Sequence, residues 1–137
     1  MAEIGTVKFK TLLTARAFEL KEKHDYDFAK AHPVTQFPEL WREVDKRVVR
    51  NKVITTAYVT FLALMHQTDA TTIGDFKYHD SGIGTTAAAI GDIGMETAWG
   101  GARDVGTQVA STNTYTSVAT TTYNATKAIT EHGLFNA

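Results

Sequence analysis

Cysteine is absent from the 137-residue chain. That excludes disulfides, thiolate metal sites and a cysteine nucleophile. Excess charge is absent too: 14 basic and 15 acidic residues leave a formal net charge of −1, so no global basic surplus points to nucleic acid. Long apolar runs are missing. The most apolar stretch, "VITTAYVTFLALM" (53–65), is interrupted by threonines and falls short of the ~20 residues that span a bilayer. It reads as buried core, and no membrane partner is expected. The first residues, "MAEIGTVKFK", hold no apolar h-region and do not read as a secretory signal.

What is present is globular in composition. Hydrophobic residues make up 43% and charged residues 21%, enough apolar content for a core within a single domain over 1–137. The charges crowd into 8–52, whereas Gly, Ala and Thr dominate 81–130. That shift predicts an α+β fold: a helical half over 1–75, and a β-rich half over 76–137 forming a small antiparallel sheet or sandwich on which the helices pack.

Phe9, Leu13, Ala17 and Leu20 recur at helical spacing and predict an amphipathic helix over Val7–Lys23. Pro33 and Pro38 bracket an extended "VTQF". "PELWREVDKRV" predicts a short helix with Pro38 in its first turn and Glu39 at the positive end of the dipole. Over 47–66, Val49, Val53, Ala57, Phe61 and Leu64 favour a central buried helix, against a β-branched content that favours strand. "TIGDFKYHDSG" reads as a strand, "SGIGTTAAAIGDIG" as a loop, and "METAWGGARDVGTQVA" as an irregular strand. "TNTYTSVATTTYNA" alternates as a strand, with a turn at Asn124–Thr126 before the final strand "TKAITEHGLF". Short connections predict a meander.

Candidate chemistry is sparse. Glu131 and His132 are adjacent, but neighbours on a strand point to opposite faces and cannot serve one substrate together. Gly133 beside them predicts a bulge or a close backbone approach. His24, His32, His66, His79 and His132 show no helical zinc spacing and no H-E-x-x-H. His79 next to Asp80 reads as turn entry. "SGIGTT" lacks the lysine of a P-loop and the third glycine of a dinucleotide fingerprint. No catalytic, cofactor-binding or metal site is expected, and no small-molecule substrate. "KRVVRNK" (46–52) reads as a solvated basic face. Trp41, Phe37 and Trp99 read as core or interface.

"FKYHDSGIGTTAAAIGD", then "GTQ", then "NTYTSVATTTYNATKAITEHGLF" resembles a recurring segment of tailed-bacteriophage structural proteins. There a KYH-x-SG-x-GTTA loop leads through GTQ and a Y-x-(S/T)-V-x-T strand to AITEHGLF. The likeness covers about 76–136 and carries nothing of 1–75. More distantly, E-x-G-L-F is similar to a strand of phage tail-fibre and collar domains. The resemblance implies a virion component, not an enzyme: a capsid decoration (cement) protein, or else a tail-fibre, collar or head–tail adaptor protein. A hydrolase built on His132 or His79 with a carboxylate is the reading from another class. The partners implied are the major capsid protein and sister copies, in a homo-oligomer with threefold clustering. Phe9, Phe37, Trp41 and Trp99 are the expected apolar anchors. Arg42, Arg47 and Arg50 are expected to meet acidic capsid residues. Proteins with this segment continue into further strands, so Leu134 and Phe135 are expected to need cover from a neighbouring subunit.

Overall fold

A computed structural model of the chain describes residues 10–67 and 76–136. The fold is mixed α+β, mostly strand, and every strand pair is antiparallel. Phe9, His66 in its side chain, and the start of the "TIGDFKYHDSG" strand lie outside what is described.

The first half departs most from expectation. Residues Leu12–Leu20 are not helical but form strand β1, paired with β2 (Trp41–Arg50) in a long two-stranded arm. Leu, Ala, Arg and Glu of β1 suit a helix, yet pairing with a valine-rich partner overrides propensity, as strand context does generally. The register sets Glu19 opposite Arg42, while Arg16, opposite Lys46, reaches diagonally to Glu43. Arg16 bonds Glu43 and Arg42 bonds Glu19 across the pair. A register shift falls between Ala17 and Phe18, and on both sides of it opposite-charge side chains still meet.

The helix expected from Pro38 lasts only one 3-10 turn, Pro38–Leu40, with proline in its first turn as expected. β-Branched Val44, Val48 and Val49 then carry the chain as strand. Arg47–Arg50 belong to β2 and not to a central helix. The strand ends at Asn51, whose positive φ of 55° is a conformation that asparagine tolerates. Helix α2 starts only at Thr56 and runs to Gln67. Thr55 precedes it, its hydroxyl accepting from the Tyr58 N–H at 3.4 Å, the usual device at a helix start.

The arm's tip, 21–40, carries the short helix α1 (Tyr26–Ala31). Asp25 caps it by accepting from the Phe28 N–H at 2.8 Å. Rings stack along one side: His24 on Phe28 at 3.8 Å, Phe28 on His32 at 4.2 Å, and His32 against Phe37 at 4.9 Å. This spacing is the helical i, i+4 neighbour relation.

The C-terminal half forms two sheets. One has the order β4 (Asp104–Val105), β3 (Tyr78–Gly82), β7 (Glu131–Phe135); the other is a hairpin of β5 (Thr107–Ser111) and β6 (Thr114–Val118). The hairpin and the closing strand match expectation. The meander does not, because β7 returns to β3 instead of pairing with β6. β6 also stops at Val118, short of Tyr123. The segment 83–97 is a loop, as its glycines predicted.

Covering is thin. Among the described residues Ala29 is the one buried hydrophobic, and no large side chain is fully enclosed. Tyr58 and Phe61 of α2 close on Phe76 at 4.8 and 4.7 Å, but Val53 and Val59 stay exposed. The expected buried core over 53–65 is therefore only half covered. The chain exposes 10696 Å², against roughly 7,000 Å² for a compact monomer of this size.

Candidate functional site

The β3–β7 pair sorts its side chains by alternation. His79 and Ser81 share a face with Leu134 and His132, while Tyr78, Asp80 and Gly82 share the other with Phe135, Gly133 and Glu131. Glu131 and His132 thus separate, as expected, and each has its own task. The register through Gly133 is regular, so the glycine marks no bulge. The close approach there is to side chains and not to backbone: a Cβ would lie 2.6 Å from the Phe135 ring and 3.1 Å from Met95 Sδ.

On the first face, His79 Nδ1 lies 3.2 Å from His132 Nε2, and His79 Nε2 lies 2.7 Å from Ser117 Oγ on β6. A proton on His79 Nδ1 donates to His132 and leaves Nε2 to accept from the serine hydroxyl. The reversed tautomers satisfy the same contacts. The chain of three ties the sheet to the hairpin. Beside it the Tyr123 hydroxyl donates to Ser81 Oγ at 2.9 Å, and Thr121 donates to Asp104. Burial lowers the pKa of His79, against the opposing pull of Asp104. Burial also lowers His132, to about 4, with the nearby positive character of His79 and Lys52 adding to it and Asp80 opposing. Both shifts favour the neutral rings, and the N–H···N contact requires the accepting nitrogen to be unprotonated. Burial raises the Tyr123 phenol.

The opposite face holds charge. Asp80 is buried and 3.4 Å from Arg103 Nε, and that guanidinium sits 3.8 Å above the Phe135 ring. Glu131 collects backbone donors: Gly84 and Glu96 N–H at 2.9 Å each, and Thr97 N–H at 3.3 Å. These bonds hold its pKa below the usual range, the Glu96 amide first. Glu96 in turn accepts from the Thr86 N–H at 2.9 Å and its hydroxyl at 2.7 Å. The Glu131 carboxylate therefore staples the 83–97 loop to the start of β7, and the Glu96 carboxylate ties the loop to itself.

Ser117, His79 and His132 have the connectivity of nucleophile, base and orienting group. The neighbouring Gly106 N–H is already spent on the Lys77 carbonyl at 2.7 Å. Two open hollows lie on the arm, one bordered by Leu20, His24 and Phe28, the other by Lys10, Leu12 and Arg50. Among the described residues no group of three metal-ligating side chains converges, and no helix is long and apolar enough to cross a membrane.

The expected interface residues fall in separate places. Phe37 packs on His32, and the Trp41 indole N–H donates to the His32 carbonyl at 2.8 Å, so both help build the arm's tip. Arg42 and Arg47 are held by Glu19 and Asp45 of the arm itself. Arg50 has no ion pair among the described residues, and neither does the side chain of Lys46, the first residue of the basic "KRVVRNK" stretch. Trp99 meets Tyr123 edge-on at 5.0 Å. Phe135 lies under Arg103, and Leu134 is exposed. Sequence reading also missed the His79–His132 contact. The two are 53 residues apart, and only the β3–β7 register brings them together.

No family model, curated protein or solved structure matches the chain.

Proposed function

We propose that the protein is a structural component of a bacteriophage virion, a capsid decoration (cement) protein that binds the major-capsid shell and sister copies. The observation that carries this reading is the uncovered arm. An isolated two-stranded ribbon is marginal in water, yet every residue of β2 after Trp41 is exposed. Leu12, Val44, Val48 and Val49 are among its exposed apolar side chains. Such a ribbon gains its stability by lying on another surface, which is what an assembly subunit does. The polar contacts of the C-terminal half fix its loops in place, as an assembly surface requires. The sequence likeness over 76–136 is what favours a virion component within this reading.

Purified protein added to empty shells tests the reading. Binding at micromolar concentration, at hundreds of copies per particle, is the expected result. A handful of copies would place it at the tail as a fibre, collar or adaptor protein, and no binding would sink the reading. One observation favours a hydrolase, the Ser117–His79–His132 chain. It predicts turnover of an activated ester that Ser117→Ala abolishes, and equal background rates in both proteins retire it.

A further inference from the structure

The two faces of the arm differ. Residues paired across β1 and β2 share a face. One face carries Glu19 with Arg42 and Asp45 with Arg47, and each of these four charges is answered within the arm. The other face carries Arg16, Lys46 and Arg50. Arg16 is taken by Glu43, whereas the Lys46 and Arg50 side chains have no partner among the described residues. Between them stand Leu12, 59% exposed, and Val48, 49% exposed. This face needs a partner that is apolar and bears carboxylates.

The chain itself offers one. The loop 83–97, "IGTTAAAIGDIGMET", contains no lysine or arginine and holds Asp92 and Glu96. Ile90 is 69% exposed and Ile93 is 85% exposed. The loop's position is set before any partner arrives: Glu131 holds it at one end, and the Ile90 carbonyl accepts from the Thr56 N–H at 2.7 Å. Among the described residues neither Lys46 nor Arg50 of the arm makes an ion pair with Asp92 or Glu96 of the same chain. The two complementary surfaces therefore do not satisfy each other within one chain.

We propose that the Lys46–Arg50 face of one copy's arm lies on the 83–97 loop of a second copy. The contact joins different patches, so it propagates from copy to copy, ending in a ring where the rotation between copies closes. The surface available suffices. The chain exposes 10696 Å², which exceeds the compact-monomer value by roughly 3,700 Å², against about 800 Å² that each partner gives to a standard interface. The inference rests on the self-association half of the proposed function and is independent of the shell.

The absence of cysteine makes the test clean. Val48→Cys and Ile93→Cys are made singly, mixed and mildly oxidised. The expected product is a dimer linked from 48 to 93, and the unmodified chain sediments as an oligomer at tens of micromolar. Lys46→Glu with Arg50→Glu lowers the yield about tenfold, and Asp92→Lys on the loop-bearing copy restores it. A monomeric chain at that concentration overturns the proposal. So do products linked only 48 to 48 and 93 to 93. Shell binding separates the two readings. Shells bound by a chain that gives no 48–93 product leave the function and remove the inference; the 48–93 product without shell binding does the reverse.

Discussion

The arm pairs nine residues of β1 with β2, yet its side chains stand in solvent on both faces. The β3–β7 pair has five rungs and contains the buried Asp80, Ser81 and Gly82. The longer pairing is the less covered. Hydrogen bonds along a ribbon exchange water for backbone at small net gain, so length alone does not stabilise the arm. The short sheet adds contacts that cross between elements: the histidine pair to β6, Glu131 to the loop, Asp80 to Arg103. Rigidity is therefore expected in the C-terminal half and adaptability in the arm. A scaffold with one stapled loop and one adaptable arm suits the assembly role proposed above.

Acid is expected to loosen the C-terminal half most. The folded state lowers the His132 pKa from 6.5 to about 4, so between those values the unfolded chain binds more protons. Stability is full above pH 6.5, falls as pH drops through that window, and levels off near pH 4. The loss is at most about 3 kcal/mol at 1.36 kcal/mol per unit. Denaturation midpoints from pH 7 to 4 should show it, and His132→Asn should flatten the profile. An unchanged profile in that variant would mean that the pair does not govern the sheet. The arm holds no buried histidine, so amide exchange of β1 and β2 should not share this pH dependence.

Gly82→Ala comes next. A Cβ there would lie 2.7 Å from the Thr97 carbonyl and push on Glu131. The overpacking costs about 2 kcal/mol, read as a lower urea midpoint with faster exchange of the loop amides. Thr112→Gly acts in the opposite sense. Thr112 stands at φ 51° in the β5–β6 turn, a strained place for a β-branched side chain, and glycine should stabilise the hairpin by about 1 kcal/mol. Smallest of all is Glu43→Ala. It removes the partner of Arg16 on an exposed strand, and the change should stay within about 0.5 kcal/mol.

The sequence made the two halves legible to different degrees. Alternation and turn residues placed β6, β7, their intervening bend and the glycine-rich loop, because those cues are local. Residues 12–20 misled: Leu13, Ala17 and Leu20 fit a helical face, and only the pairing with Trp41–Arg50, supplied from far along the chain, makes them a strand. The site was legible in outline. Alternation alone separates Glu131 from His132, and the closing strand follows from "AITEHGLF". What the two side chains do was not legible, because Glu131 answers amides 34 to 47 residues away and His132 answers a ring on another strand. Lys46 was read only as part of a basic face, because its place opposite Arg16, a like charge, comes from a register that no local cue supplies.

The most direct measurement is amide hydrogen exchange on the free chain and on the chain bound to empty shells. The account predicts that β1 and β2 exchange fast when free, well ahead of β3 and β7, and gain protection on the shell. Arm amides as protected in the free monomer as those of β3 and β7, and unchanged by the shell, would contradict it.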